Sequence, residues 1–351
     1  MDPAPFDALL LVSFGGPEKP EDVVPFLENV TAGRGIPRER LEEVGEHYFL
    51  FGGRSPINDL NRDLLDRLRA ELKESGIDLP VYWGNRNWDP YLRDTMEQMV
   101  ADGVRRAAYV LTSAYSSYSG CRQYREDLAG AVDGLDLELS RLRVYFNHPG
   151  FVTPFVEATA AALDEAPAGT RVVFVTHSIP DAMNDASGGP GVGAYRRQHE
   201  ETARLVVEGV EAAGRTVDAH DLVYCSRSGS PHTPWLEPDV NDHLEALAKD
   251  GVPGAVVVPI GFVSDHMEVV YDLDTEAKKT AEELGLWFRR VATPGTHPAY
   301  VTMIRDLLLE RAAIDRGEDP ERTVVGRCAP NPEVCVPDCC RNLRAELPAV
   351  S

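Results

Sequence analysis

No apolar run in this chain approaches the length of a transmembrane helix; the longest, such as Ala8 to Val12 and Val256 to Ile260, are strand-sized. Stable membrane insertion is therefore not expected. Basic charge is scarce: 35 Lys and Arg face 57 Asp and Glu, for a formal net charge of −22. That balance argues against nucleic acid, whose phosphates attract basic patches, and against docking on anionic lipid. Met1 to Asp7 lack a basic region and a long apolar core, so no secretory signal is expected and the expected compartment is the cytoplasm. Neither G-x-G-x-x-G nor G-x-x-x-x-G-K-[ST] occurs, which leaves nucleotide binding without support.

What is present is an ordinary globular composition, 43% hydrophobic and 26% charged over 351 residues, enough for two lobes. Apolar strand-like runs alternate with helical spacing. Strands are expected at 8–13, 81–83, 107–112, 142–146, 171–176 and 255–260, with helices at 21–29, 60–75, 89–102, 123–132 and 152–165. This order predicts an α/β fold, doubly wound, with parallel sheets and helices on both faces.

The pattern then repeats. Arg171 to Pro180 resembles Ala8 to Pro17, Val223 to Gly229 resembles Val81 to Asn87, and Ala255 to His266 resembles Ala107 to Ser119. Two lobes around a cleft follow, at 1–165 and 166–314, with an irregular tail at 315–351.

The segment Gly261 to Glu276 follows the buried run Ala255 to Ile260 and carries Glu268, Asp272 and Glu276 at i, i+4 and i+8. Three carboxylates on one helix face repel one another, a cost that solvation or an adjacent cation relieves. His177 closes the apolar run 172–175, at the strand end where α/β folds place their ligand crevice. Imidazole with carboxylates suits a divalent first-row metal or proton transfer.

Aromatic and hydroxyl residues gather at 112–119, including Ser113 and Tyr118, with Tyr124 shortly after; Phe14 and Tyr48 stand in similar places. Together they fit a pocket for a large flat ligand with polar edges, and Arg34, Arg38, Arg54 and Ser55 suit carboxylates at such an edge. Four of the six cysteines crowd the tail as Cys328-x6-Cys335-x3-Cys339-Cys340; Cys121 and Cys225 are the others. Thiolates so spaced in an irregular segment bind zinc or an iron–sulfur cluster.

Leu10 to Pro17, Thr176 to Pro180 and Gly261 to Glu268 together resemble the ferrochelatase family over nearly the whole chain. The resemblance implies two similar Rossmann-like lobes around a porphyrin cleft. It implies that His177 and Glu268 flank the porphyrin centre, binding metal and taking pyrrole protons, with Asp272 and Glu276 as a metal or proton path. Phe14 stands where some bacterial relatives carry tyrosine. The tail resembles those of relatives with a [2Fe-2S] cluster, implying Cys121, Cys328, Cys335 and Cys340 as ligands and Cys339 or Cys225 as substitutes for the fourth. Fe²⁺ is then a substrate. Among relatives the chain looks most like the soluble actinobacterial kind that inserts iron into coproporphyrin III. A monomer with transient contacts to neighbouring heme-pathway enzymes is expected. Protoporphyrin IX as the porphyrin, another metal and tetrapyrrole, and a non-catalytic tetrapyrrole carrier or redox sensor are the alternatives.

Overall fold

The structure, a computed structural model, describes residues 1–228 and 232–350; Gly229, which closes one of the repeat segments, lies outside them. Among the described residues, eight strands form two four-stranded sheets. β1 (Ala8–Ser13), β2 (Val81–Asn85), β3 (Arg106–Leu111) and β4 (Glu138–Arg141) make the first; β5 (Arg171–His177), β6 (His220–Cys225), β7 (Gly254–Val258) and β8 (Trp287–Arg290) make the second. All pairings are parallel, and the strand orders are β2-β1-β3-β4 and β6-β5-β7-β8. The two halves thus share one topology, in an α/β architecture with helices flanking both sheets. The central strands β1 and β7 are buried along their whole length because both of their faces are covered.

The fourth strand departs from expectation. It runs Glu138–Arg141, whereas the apolar run 142–146 leaves the sheet and fills the core beneath it. Tyr145 and Phe146 are buried there, and Tyr145 Oη donates to the Leu111 carbonyl at 2.8 Å. An apolar run reads the same in a ladder or packed against one, and the true edge strand opens on an exposed Glu138.

One continuous apolar cluster joins the lobes. It contains Leu9 and Leu11 of β1, Phe174 of β5, Val256 and Val258 of β7, and Leu307 and Leu308 of the helix Pro298–Asp315. Polar contacts cross beside it: Tyr115 Oη donates to the Ile260 carbonyl at 2.8 Å, and the Gln198 amide brackets Ser116 at 2.7 and 3.0 Å.

Beyond Asp315 the tail has no helix or strand among its described residues. Arginines of the first lobe hold it by its carbonyls. Arg141 reaches Pro332 and Glu333, Arg143 reaches Thr323, Arg122 reaches Pro337 and Leu347, and Arg125 reaches Val350. A segment too polar to build its own core is ordered by charge-assisted bonds.

Two local features position the site. The acidic segment forms a nine-residue π-helix, Val269–Ala277, which begins just after Glu268. Upstream, Gly261 lies flat against β5: its N–H donates to the Val175 carbonyl at 3.1 Å, and a Cβ there would stand 2.1 Å from Thr176 Oγ1 and 2.7 Å from Thr176 Cα. Only glycine permits that approach. Gly261→Ala is expected to cost about 1–3 kcal/mol by overpacking, read as a lower urea midpoint. An unchanged midpoint would mean that the segment shifts without penalty.

Candidate active site

His177 ends β5, paired with Cys225 at the end of β6. Its Nδ1–H donates to the Ser178 carbonyl, which turns Nε2 toward Glu268 Oε1 at 3.4 Å. Behind the ring, Tyr195 Oη donates to the His177 carbonyl at 2.8 Å and lies 2.9 Å from Thr176 Oγ1. His199 completes this support. Desolvation drives it down to about 3, against the bond to the Tyr195 carbonyl, so it is neutral. Its Nδ1–H then donates to that carbonyl at 2.7 Å, and its Nε2 accepts from Thr176 at 2.8 Å. Its ring stacks on Tyr115 at 3.6 Å. Nothing in the local sequence around His199 marks this role.

Glu268 stands between two histidines. Its Oε2 is 3.7 Å from His266 Nε2, and its N–H donates to His266 Nδ1 at 3.2 Å. Burial disfavours charge on His177. The Glu268 charge and hydrogen bond, the Ser178 carbonyl and the Asp272 charge outweigh it and bring His177 up to about 9. Burial likewise opposes ionised Glu268, yet His177 and then His266 hold it down at about 2. At neutral pH the pair is an imidazolium facing a carboxylate.

Asp272 goes the other way. Burial lifts it to about 6; the Ser226 hydroxyl offsets part of this, while the Glu268 and Glu276 charges add to it. Ser226 holds that hydrogen bond from a left-handed backbone, φ 60°. Glu276 is exposed, as is Glu268, and Asp272 between them is half-buried. His47, on the helix Arg38–Phe49 of the first half, stacks on Tyr271 of the π-helix at 3.9 Å and spans the two lobes. Among the described residues, no group of three or more His, Cys, Asp or Glu is arranged to hold a metal ion.

The residues expected to line a flat-ligand pocket separate into groups. Phe14 and Tyr48 share an aromatic wall through Phe26, at 6.1 and 6.0 Å, with Trp88 at 6.3 Å. Tyr48 is pushed up by burial and then by the Glu268 charge. Phe49, Leu50 and Phe51, which follow Tyr48, are exposed. Tyr118 is half-buried and bonded to Glu126 and Asn342, and Ser113 is half-buried beyond the end of β3. Tyr124 is buried in the first sheet's core. Two expected residues lie elsewhere: Ser55 is buried in a turn against Gly16, and Arg54 is an exposed partner of Asp59. Arg86 was not foreseen: it covers Tyr124 at 4.4 Å and Phe14 at 5.8 Å and pairs with Asp127.

The thiols also depart from the expected set. Cys121, Cys335, Cys339 and Cys340 form a chain of sulfur contacts, with Cys339 Sγ 3.7 Å from Cys340 Sγ. Hydrogen bonds from Cys121 and Cys339 push Cys335 down, as does the Arg141 charge; Cys340 is lowered by Cys339 and by the Gly188 N–H. Arg141, buried, donates to Cys121 Sγ at 2.9 Å and to Cys335 Sγ at 3.1 Å. Cys328 lines a cavity of about 520 Å³ with Cys335 and Cys339 but joins no sulfur contact. Cys225 lies apart, beside Ser226 at the end of β6. A larger cavity, about 1020 Å³, lies along the outer edge of β2 and includes none of these residues.

The family model described as Ferrochelatase matches residues 6–312. Coproporphyrin III ferrochelatase of Streptomyces griseus is 56% identical over 365 residues, covering 100% of this chain and 97% of that one. The protein of the same name from Mycolicibacterium smegmatis is 50% identical over 344 residues, covering 95% and 99%. Among solved structures, SirB from Bacillus subtilis with Fe³⁺ superposes with a TM-score of 0.51 at 13% identity, covering 88% of this chain and 97% of SirB, a likeness of fold.

A divalent cation that binds His177 Nε2 must displace the proton held there. With His177 near 9, Co²⁺ or Zn²⁺ binding at pH 7.5 is expected to release about one proton per metal. Apparent affinity should fall roughly tenfold per unit as pH drops below 9. Calorimetry in buffers of different ionisation enthalpy reads this directly. Proton release unchanged in His177→Ala would place the titrating group elsewhere. The raised value of His177 also stabilises the fold below its ordinary value of ~6.5, a contribution lost as pH rises through about 9.

Proposed function

The chain belongs to the ferrochelatase family, and from that premise we propose that it inserts Fe²⁺ into coproporphyrin III to give coproheme. The observation that carries the chemistry is the His177–Glu268 pair, 3.4 Å apart beyond the ends of the neighbouring strands β5 and β7. Metal insertion exchanges one Fe²⁺ for two pyrrole protons, so the site must accept protons and pass them on. Glu268 is a carboxylate at neutral pH, and His177 becomes a base once its own proton leaves. Asp272, brought up to about 6, is matched to receive that proton and give it up near neutrality, and exposed Glu276 leads it to water. Phe14 and Tyr48 provide the flat wall against which the macrocycle lies, and Ser113, Tyr118 and Arg34 stand at its rim. We read 1–165 and 166–314 as the lobes that bound this cleft and 315–351 as the tail. The protein is taken as a cytoplasmic monomer that meets neighbouring heme-pathway enzymes transiently. No helix among the described residues is long and apolar enough to cross a membrane.

The tail reading is a [2Fe-2S] cluster. In its favour are four converging thiols, two of them drawn toward thiolate, and a buried guanidinium that would balance an anionic group. Cys121, Cys335 and Cys340 would hold it, with Cys339 or Cys328 as the fourth ligand. When bound, such a cluster adds a covalent tether between tail and first lobe.

Anaerobic turnover with Fe²⁺, comparing coproporphyrin III with protoporphyrin IX, tests the assignment, and preference for coproporphyrin III is expected. His177→Ala should lose at least ~10²-fold, since acid–base groups contribute that much or more. Glu268→Gln should be nearly as severe and Asp272→Asn milder. Equal losses at all three positions would contradict the path from pair to solvent. Protein purified anaerobically is expected to contain two irons and two sulfides per chain and to bleach in Cys335→Ser or Cys340→Ser, an expectation that rests on [2Fe-2S] stoichiometry. Loss of colour in Cys339→Ser but not in Cys328→Ser would identify the fourth ligand. Colourless protein with zinc would replace the cluster with a structural zinc site.

A further inference from the structure

The π-helix Val269–Ala277 runs for nine residues, whereas i→i+5 hydrogen bonding usually appears as a single turn inside an α-helix. A stretch of that length calls for support from outside the helix. The geometry matters to the site. Glu268 and Asp272 are four residues apart, so a change from i→i+5 to i→i+4 bonding would swing one carboxylate about the helix axis relative to the other.

One side chain supplies such support. Arg290 ends β8, beside Val257 of β7, and only 14% of its side chain is exposed. Its Nη1 donates to both carboxylate oxygens of Asp265 at 3.0 Å. Its Nε and Nη2 donate side by side to Asp274 Oδ1 at 2.8 Å and Oδ2 at 2.5 Å. Asp265 immediately precedes His266, and Asp274 lies two residues after Asp272. A single guanidinium of the sheet therefore clasps the reactive segment on both sides of Glu268 and Asp272. A planar fork matched to a carboxylate fixes orientation as well as position, which the point charge of an ammonium does not. Arg289, the residue before it, is on the opposite face of the strand and pairs with exposed Glu165.

We propose that Arg290 is a positioning residue of the site: by clasping Asp265 and Asp274 it holds the π-helix in the register that sets Glu268 against His177, with Asp272 behind. It acts through the two aspartates rather than on the reacting atoms. This deepens the metal-insertion reading and rests on it for the kinetic readout.

The test compares Arg290→Gln, Arg290→Lys and Asp274→Asn with Arg289→Gln, which removes the same charge from the same strand. The side chains of Asp265 and Asp274 are 32% and 35% exposed, so water can solvate them when the guanidinium is lost and the variants should fold. The readouts are amide hydrogen exchange, Co²⁺ affinity by calorimetry, and steady-state kinetics with Fe²⁺ and coproporphyrin III. In Arg290→Gln the amides of 265–277 should exchange about tenfold faster or more, while those of β5 and β7 keep their protection. The Kd for Co²⁺ should rise and kcat should fall, each by about tenfold or more, as when a group behind metal ligands is removed. KM for the porphyrin should stay within about twofold. Arg290→Lys should recover part of the loss, Asp274→Asn should fall between, and Arg289→Gln should behave as the parent. Unchanged exchange at 265–277 in Arg290→Gln would overturn the proposal, and so would faster exchange there with an unchanged Kd for Co²⁺. A parent protein that binds Co²⁺ yet inserts no iron would instead sink the metal-insertion reading, and the clasp would still be judged by exchange and Co²⁺ affinity.

Discussion

The contact on which the site depends is the one between the Gly261 backbone and Thr176. It presses the segment after β7 onto the end of β5, so that a residue seven positions further along, Glu268, reaches the ring of His177. Thr176 serves twice: its backbone is the surface against which Gly261 lies, and its hydroxyl belongs to the network of Tyr195 and His199 that holds the His177 carbonyl. Reactive groups from two strands are thereby fixed by backbone contact and buried hydrogen bonds rather than by flexible loops, which is what positioned chemistry needs.

Electrostatics then divides the acidic residues into two kinds. Glu268 has His177 hydrogen-bonded to it and stays ionised down to about 2, whereas Asp272 is lifted to about 6 by burial and the Glu268 and Glu276 charges, which outweigh the Ser226 hydroxyl and the more distant His177 charge. Residues of the same type, one helical turn apart, are thus set some four units apart by what faces them. A carboxylate that stays charged suits a cation, and one that titrates near neutrality suits a proton in transit.

Much of this was legible in the sequence because it is written in short-range pattern. Apolar runs and their repetition predicted two parallel sheets, and a histidine and a carboxylate stripe at two strand ends pointed to the pair. What escaped depends on distance in the chain. The edge strand β4 was misplaced because its own residues are too polar to announce it, while the richer run 142–146 belongs to the core. His199 lies on a helix 22 residues beyond His177 and acts through hydrogen bonds that no local pattern encodes. Arg122, Arg125, Arg141 and Arg143 look like ordinary charges until the tail folds over them. Ser55 was grouped with pocket residues by type, and burial separates it. The tail's thiols were found, but which of them touch is a matter of turns that spacing does not fix.

The shared core has a bearing on how the chain is made. The first sheet is complete once residue 141 has been synthesised, yet Leu9 and Leu11 share their apolar cluster with Leu307 and Leu308 of a helix that begins at Pro298. At ribosomal speeds of ~5–20 residues per second, that gap lasts on the order of ten seconds or more. Through this interval the nascent half-protein carries an uncovered greasy face, and its buried arginines await carbonyls that come off the ribosome last. Such a chain is a natural client for chaperones during translation, and ribosomes stalled between the two halves would release an aggregation-prone fragment rather than a stable lobe.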